Sequence, residues 1–218
     1  MKAKFQVGVI GLGKFGYTFG KTLTEHNIEV VGVDASPDNV KLAQNDFTQV
    51  YQADATNKEA LEQLGFTDMT YVLISVGNSI AASSMIAMYL KELQVPHVWA
   101  KGINSDHEKL LLKIGVDEVF IPERMAAKQL ANRIAIPGFI EYLPFDSKYA
   151  LKEFIVDDWA GKTLRDIDLT NRFNIQVIAV KHVGEDHYKY IPKANEKLNA
   201  NDTLVAIGEV DNVKNVKS

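Results

Sequence analysis

The sequence predicts an α/β protein with a doubly wound parallel sheet over residues 1–136 and a smaller, mostly β unit over 137–218. Three observations predict this. Short β-branched runs alternate with helical patterns six times before residue 136. These runs are continuously apolar, as in strands buried on both faces. Short links and right-handed crossovers then give a doubly wound sheet. Beyond Ile136-Pro137-Gly138 the alternation stops.

Local signals place the elements of the first part. Ser36 is a suitable N-cap and Pro37 suits the first helical position, while Gly65 and Gly115 end the helices before them. The predicted strands are 7–10, 29–33, 50–52, 71–76, 97–101 and 119–121. The predicted helices are 15–25, 37–45, 58–64, 80–93, 106–114 and 123–135. The apolar stripe over 85–90 is typical of core, with a helix–helix subunit contact as the alternative.

The second part is predicted to be small and mostly β. Pro137-Gly138 breaks the last helix and makes a hinge. Strands are expected at 139–143, 151–156, 175–182 and 203–207, with a helical turn over 161–168 and a frayed tail over 213–218. A unit of this size is near the lower limit for folding alone. We expect it to be stabilised by contact with a partner copy or with the first unit.

Composition excludes several functions. Of 218 residues, 46% are hydrophobic and 24% charged, which indicates a globular protein. Cysteine is absent, which excludes disulfides, thiolate metal sites and a cysteine nucleophile. The 24 basic and 28 acidic residues offer no positive field for nucleic acid. No signal peptide or membrane-spanning run is found, so we expect a cytoplasmic protein.

The chemistry is predicted at a GxGxxG motif between the first strand and the first helix, formed by Gly11, Leu12, Gly13, Lys14, Phe15 and Gly16. In a Rossmann-like fold Gly11 allows the tight turn, Gly13 lets the backbone approach a diphosphate, and Gly16 lets the helix pack on the strand. The N-terminus of the helix offers N–H groups and partial positive charge to phosphates.

An acidic residue completes this pattern. Asp34, followed by Ala35, ends the second strand 18 residues after Gly16. A carboxylate there can accept both hydroxyls of an adenosine ribose and would repel a 2′-phosphate, which disfavours NADP. The motif indicates an adenosine phosphate site. A glycine turn with a surface aspartate is the alternative interpretation.

Other candidates follow later strands and therefore share the ligand edge of the sheet. Asp54-Ala55-Thr56 is expected to meet the adenine end, or else to form a turn before the next helix. Val76 and Gly77, in Ser75-Val76-Gly77-Asn78, allow close approach to the ribose or adenine, or form a simple turn. Lys101 is expected to reach phosphate, or else to be a solvated lysine.

No enzyme is predicted. A dehydrogenase needs a proton donor or acceptor near its substrate, and none of the histidines stands in a recognisable catalytic motif: His26, His97, His107, His182 and His187. His107, at a helix start, is expected to be exposed. The alternative is an NAD(H)-dependent oxidoreductase. The acidic net charge disfavours a third interpretation, a redox sensor that regulates transcription.

In combination, several motifs resemble the KtrA/TrkA family of RCK proteins, regulators of potassium conductance. They extend over nearly the whole chain, at residues 9–16, 33–34, 53–56, 99–101, 113–117, 121–124, 161–167 and 175–181. The resemblance implies an RCK N-terminal domain of Rossmann type with a crossover helix over 123–135, and a small α+β RCK C-terminal domain.

The resemblance further implies a regulatory subunit of a bacterial potassium uptake system. Homodimers would assemble into a homo-octameric ring beneath a membrane potassium-transporting subunit of the KtrB/TrkH-like type, at the inner face of the cell membrane. ATP and ADP, alternatively NAD(H), would bind the N-terminal domain and switch the ring. Glu123 matches the family position linked to a divalent cation (Mg or Ca); the alternative is a first-turn acid favoured by the helix dipole.

Two positions qualify the resemblance. Lys14 stands where the family's usual residue is arginine, which reaches the terminal phosphate of ATP. Some relatives bind cyclic di-AMP between their C-terminal domains. The matching stretch here holds Arg172, Ile175, Gln176 and Pro192, with asparagine in some relatives at the position of Gln176. The alternative is that these residues simply complete a strand and a turn.

Overall fold

Six parallel strands form the sheet of the first unit, in the order β3-β2-β1-β4-β5-β6. The structure is a computed structural model that describes residues 5–77, 79–136, 138–143 and 146–216. The chain divides into two compact units, Met1–Pro122 and Glu123–Ser218. The elements of the first unit are β1 (Gln6–Ile10), α1 (Lys14–Glu25), β2 (Glu29–Asp34), α2 (Pro37–Ala43), β3 (Gln49–Gln52), α3 (Lys58–Gln63), a 3₁₀ turn (Phe66–Asp68), β4 (Tyr71–Ile74), α4 (Ile80–Glu92), β5 (His97–Lys101), α5 (Ser105–Ile114) and β6 (Glu118–Phe120).

The doubly wound sheet is confirmed. Every pairing in it is parallel. Helices α1 and α2 pack on β1, β2 and β3, and helices α4 and α5 pack on β4, β5 and β6. Strands β1, β2 and β4 are buried almost throughout, as burial on both faces requires, whereas the edge strands β3 and β6 are exposed or half-buried. The strand order reverses beside β1, and ligands of open α/β sheets bind at such a point.

Side-chain caps fix where several helices begin. Asn57 Oδ1 accepts from Glu59 N–H, Ser79 Oγ from Ala82 N–H, and Asn104 Oδ1 from His107 N–H. Ser36 occupies the N-cap of α2 as predicted, but its side chain makes no capping hydrogen bond. Its backbone N–H instead donates a hydrogen bond to Asp34 Oδ1.

His107 is buried, and the prediction that it is exposed was wrong. The side chain is 1% exposed between α4 and α5. Its Nδ1 accepts from Ile103 N–H at 3.2 Å, so the proton of the neutral ring lies on Nε2, which contacts Ser83 Oγ at 2.9 Å. Burial lowers the pKa of this imidazole. Within the same stripe of α4, Ile86 and Leu90 are buried, whereas Met85 and Met88 are about two-fifths exposed.

The second unit contains a five-stranded antiparallel sheet in the order β10-β9-β11-β8-β7. Its elements are α6 (Pro122–Ala135, which starts one residue before the unit), β7 (Phe139–Leu143), β8 (Asp146–Ile155), α7 (Leu164–Ile167), α8 (Leu169–Phe173), β9 (Ile175–Lys181), β10 (Lys189–Tyr190), β11 (Thr203–Glu209) and α9 (Val210–Asn215). The frayed tail predicted over 213–218 was wrong for its described part. Val213 and Val216 are buried, because α9 packs on β8 and β11.

Helix α6, the predicted crossover helix, belongs almost entirely to the second unit, which begins at Glu123, whereas the predicted domain boundary follows residue 136. None of the side chains of α6 is buried. Pro137 of the predicted hinge lies outside the described residues. Gly138 has a φ of +76°, and its carbonyl accepts from Glu153 N–H. No helix among the described residues is both long and apolar enough to cross a bilayer.

Candidate nucleotide-binding site

A pocket of about 490 Å³ lies at the carboxyl ends of the parallel strands, where β1, β2, β3, β4 and β5 end. It brings together most of the predicted residues. Those that line it are Gly11, Gly13, Lys14, Phe15, Asp34, Ala35, Asp54, Ala55, Thr56, Val76, Gly77 and Lys101. The pocket therefore joins one end of the sheet to the glycine loop, as the strand–turn–helix pattern predicted.

The three glycines of the loop differ in what surrounds them. Gly11 has a φ of +90°, and a Cβ there would lie 2.8 Å from the Ser75 backbone. A Cβ on Gly16 would lie 2.0 Å from the Gly11 carbonyl oxygen, so the helix crosses the loop closely at this point. A Cβ on Gly13 would meet nothing within 4 Å. Gly13 thus faces the open pocket, while the other two glycines are required by packing.

The Asp34 carboxylate is tied to the loop. Its Oδ2 accepts from Leu12 N–H at 2.6 Å and from Asn39 Nδ2 at 3.0 Å, and its Oδ1 accepts from Ser36 N–H at 2.7 Å. These bonds connect the end of β2 to the glycine loop and to α2. They hold an anion beside the turn, where a ribose would follow the phosphates along the pocket.

Three predicted residues do not line the pocket. The Leu12 side chain is fully buried in the core on the α1 side of the sheet, and only its N–H serves the site. Gly16 acts through packing. Glu123 lies in the first turn of α6, in the second unit, and its predicted role at a divalent cation stays a prediction.

Asp54 forms a turn of its own. Its Oδ1 accepts from Thr56 Oγ1 at 2.7 Å and from Thr56 N–H at 2.9 Å. These hydrogen bonds, chiefly the one from the Thr56 hydroxyl, hold the pKa of Asp54 below its ordinary value. Asn57, not Asp54, caps α3. Asp54 also lines the pocket. The turn is therefore compatible with a ligand contact, which stays a prediction.

Positive charge enters the pocket from two sides. Lys14 is the first residue of α1, and Lys101 ends β5. The Lys101 ammonium lies near Gly77, since a Cβ there would be 3.6 Å from its Nζ. Asn78, the neighbour of Gly77, lies outside the described residues. Two lysines and the N-terminus of a 12-residue helix form an arrangement suited to phosphate.

Sequence reasoning missed several lining residues. Among them, Asn39 is polar and contacts Asp34, while Ala82 and Ile86 add apolar surface to the pocket wall. The apolar members carry no local signal of ligand contact. For Asn39 the only signal was its place in the first turn of the helix that follows the acidic residue.

A second pocket, of about 310 Å³, lies in the second unit between α7, α8 and the start of β9. Three of the four residues predicted for cyclic di-AMP line it: Ile175, Gln176 and Pro192. Arg172 is not among the lining residues. Its Nη1 donates to the Ile167 carbonyl at 3.3 Å, and the guanidinium lies over the Phe173 ring.

A glycine loop, a terminal acid and a switch-point pocket on a parallel sheet define a nucleotide-binding domain of Rossmann type, here followed by an antiparallel unit. The TrkA-N domain family matches residues 7–122, and the TrkA-C domain family matches residues 152–218. The chain belongs to this family, that of the KtrA/TrkA proteins, as its motifs predicted.

Relatives match over nearly the full length. The chain is 34% identical to Ktr system potassium uptake protein C of Bacillus subtilis (strain 168), over 98% of this chain and 95% of the relative. It is 32% identical to Ktr system potassium uptake protein A of Vibrio alginolyticus, over 96% and 95%. Among solved structures, the GsuK channel bound to NAD matches with a TM-score of 0.65 at 18% identity, over 97% of this chain and 38% of that one. This last likeness shows the shared fold.

Proposed function

We propose that the protein is a nucleotide-sensing regulatory subunit of a potassium uptake system. The observation that carries this proposal is the bond of 2.6 Å between the Asp34 carboxylate and the N–H of Leu12 in the glycine loop. This bond supports a ribose site at the carboxylate, next to a turn suited to phosphate, within one pocket. The relatives are potassium uptake proteins of the Ktr system, which supports a role in potassium uptake.

The charges of the pocket orient an adenine nucleotide. The phosphates lie against Gly13, with Lys14 on one side and Lys101 on the other, at the positive end of α1. The ribose lies at Asp34, whose negative charge repels a 2′-phosphate. The adenine extends toward Asp54 and Thr56. ATP and ADP fit this order, and so does the adenosine half of NAD(H). Solved relatives of the same fold are described as bound to NAD and to ADP.

The regulation proposed is a shift between conformations. A ligand moves an equilibrium only by the difference between its affinities for the two states. A typical coupling is about 1–3 kcal/mol per site, and repetition of the site around a ring multiplies it. ATP would favour one ring shape and ADP the other. The membrane partner, a potassium-transporting subunit, would respond to the change from the cytoplasmic side.

Two surfaces support assembly of copies. Helix α6 exposes Met125, Leu130 and Ile134, which do not share one face at 3.6 residues per turn. On the sheet, Tyr71 and Trp99 contact each other in a half-buried aromatic row, at 5.3 Å between ring centroids. This row continues to Phe120. If α6 were exchanged between two copies, the contact would cover the exposed apolar side chains of α6 and the aromatic row on the sheet. Dimers of this type would build the octameric ring.

Two further ligands belong to the same proposal. A divalent cation, Mg or Ca, would be held by Glu123 together with oxygens of the nucleotide phosphates, since carboxylate and phosphate oxygens suit such hard cations. Cyclic di-AMP would bind between the second units of two copies. The walls offered to it hold Ile175, Gln176 and Pro192, while Arg172 reaches it only if its bond to the Ile167 carbonyl opens.

The test is calorimetry of ADP, ATP and NADH with the purified protein and with Asp34→Ala. We expect saturable binding by the wild type and a loss of about tenfold or more in the variant, since a charged hydrogen-bond partner is removed. Asp38→Ala, at an exposed position in the first turn of α2, is the matched control and should bind as the wild type does. Unchanged binding in Asp34→Ala contradicts the proposed site.

X-ray scattering with ATP and then with ADP tests the switch. The proposal expects different dimensions for the two complexes. Equal dimensions would contradict it. An oxidoreductase, by contrast, would consume NADH with a carbonyl substrate, and we expect no such turnover.

The lysine of the glycine loop gives a separate prediction. Lys14→Arg should increase the preference for ATP over ADP, because a guanidinium forms a bidentate contact with a terminal phosphate and an ammonium is a point charge. Lys14 is exposed at the first position of α1, so folding should not change. The measurement is the ratio of the two affinities in both proteins. Equal ATP-to-ADP affinity ratios in the two proteins would contradict this prediction.

A further inference from the structure

The acceptor capacity of Asp34 is nearly filled before any ligand arrives. A carboxylate offers about four lone-pair positions, two on each oxygen. Leu12 N–H and Asn39 Nδ2 occupy both positions on Oδ2, and Ser36 N–H occupies one on Oδ1. One position is left. Asp34 in this arrangement can accept one ribose hydroxyl, so the simple expectation that it takes both does not fit the structure.

The orientation of the Asn39 amide follows from the same contact. An ionised carboxylate only accepts hydrogen bonds, so the group of Asn39 that faces Asp34 must be its NH₂. The carbonyl oxygen of the amide is then the second acceptor at this end of the pocket. Asn39 lines the pocket and is half-buried, so its amide is held in place yet reachable from the pocket.

We propose that Asn39 shares the recognition of the ribose with Asp34: one hydroxyl donates to Asp34 Oδ1, and the other donates to the carbonyl oxygen of Asn39. This inference rests on the proposed function, because it concerns the same nucleotide pocket. The Asn39 NH₂ also holds the carboxylate while the ligand binds. Asn39 is thus a specificity residue for the ribose diol.

The experiment compares ADP, 2′-deoxy-ADP and 3′-deoxy-ADP by calorimetry. The wild type should bind both deoxy analogues about three- to tenfold more weakly than ADP, the usual effect of one lost hydrogen bond. In Asn39→Ala the affinity for ADP should fall by a similar factor. The preference over one of the two analogues should disappear and the preference over the other should remain.

A second variant separates recognition from shape. Asn39→Asp keeps an acceptor at this position but loses the donor to Asp34 and adds a like charge. ADP affinity should therefore fall, while the preference that Asn39→Ala loses should be retained. Asn45→Ala, an exposed asparagine shortly after α2, is the matched control and should leave all three affinities unchanged. Thermal unfolding checks that each variant is folded.

The outcomes distinguish this inference from the proposed function. If Asn39→Ala keeps its preference for ADP over both analogues, both hydroxyls are recognised without Asn39 and the inference is wrong. If the wild type binds ADP but shows no preference over either analogue, the hydroxyls are not read and the inference is also wrong. If the wild type binds no ADP at all, the proposed function itself fails.

Discussion

Gly13→Ala should fold like the wild type and lose nucleotide binding, whereas Gly16→Ala should lose stability. The same methyl group is added in both variants, at two glycines of one motif. At Gly13 it enters the open pocket, with no heavy atom within 4 Å. At Gly16 it would lie 2.0 Å from the Gly11 carbonyl oxygen. The two variants therefore separate the ligand-facing glycine from the packing glycine.

The backbone at Gly13 accepts alanine, since its φ is −65° and its ψ is −175°. The cost of alanine at an N-cap is about 1 kcal/mol or less against glycine. A phosphate displaced from the loop loses charge-assisted bonds to N–H groups, so we expect affinity to fall about 10- to 100-fold. The measurement is calorimetry with ADP, beside thermal unfolding of the same sample.

At Gly16 the added Cβ would clash with a backbone carbonyl oxygen, which does not move aside as a flexible side chain does. Overpacking of this kind costs about 3 kcal/mol, or a fall of about 6–12 °C in Tm for a chain of this size. Circular dichroism on heating would show it. A stable Gly16→Ala protein would contradict the close crossing of α1 over the loop, and an ADP-binding Gly13→Ala protein would contradict the phosphate position.

The doubly wound parallel sheet and the pocket at the ends of its strands could be predicted because their causes are local or periodic. Continuous apolar runs indicate burial on both faces of the sheet, and the glycine pattern with Asp34 indicates the tight turn between strand and helix of a nucleotide-binding motif. The errors have distant causes. Ser83, the partner that shares His107's buried site, is 24 residues away in the sequence. Val213 is covered by strands that begin far earlier in the chain.

Polar contacts in the pocket were harder still to predict. Nothing in the composition of α2 shows that Asn39 donates to Asp34. Asparagine near the start of a helix commonly hydrogen-bonds the local backbone instead. That Asp34 has only one acceptor position left becomes apparent only when its three donors are seen together. Likewise, the sequence left two alternatives open for Asp54, a turn and a ligand contact. The structure shows the turn and places the residue in the pocket wall.

Acidification should destabilise the first unit and not the second, because two histidines respond to pH in opposite ways. His107 is buried and neutral, and burial lowers its pKa below the ordinary 6.5. The pKa of His182 is raised, chiefly by its hydrogen bond to Asp202 and also by Glu196, against the opposing effect of burial. The distances are 2.7 Å to Asp202 Oδ2 and 3.2 Å to Glu196 Oε1.

The sign of each effect follows from which state binds more protons. Below pH 6.5 the unfolded chain protonates His107 first, so the stability of the first unit falls as pH drops toward the lowered folded pKa. The native state protonates His182 first, so its contribution is complete below pH 6.5 and is lost as pH rises through the raised folded pKa. The limiting slope is about 1.4 kcal/mol per pH unit for one proton.

The groups around each ring are different in kind. His107 contacts Ser83 Oγ and the Ile103 N–H. A proton on Nδ1 would break the second of these hydrogen bonds, and the partners of the ring that the structure describes include no acid to compensate. Around His182, Asp202 is fully buried, and Glu196 is also paired with Lys189 at 2.6 Å. Glu185 adds a further negative charge in its surroundings. Protonation there completes a charged network.

Hydrogen exchange of the full chain at pH 5.5, 6.5 and 7.5, corrected for intrinsic rates, would resolve the two units. Protection should fall on acidification in the segments of α4 and α5, and should rise or hold in β9 and β11. His107→Gln should remove the first slope and His182→Gln the second, each leaving the other. His26→Gln, at an exposed helix end, should alter neither. Parallel slopes in both units, or slopes that survive the two substitutions, would show that other groups set the response to pH.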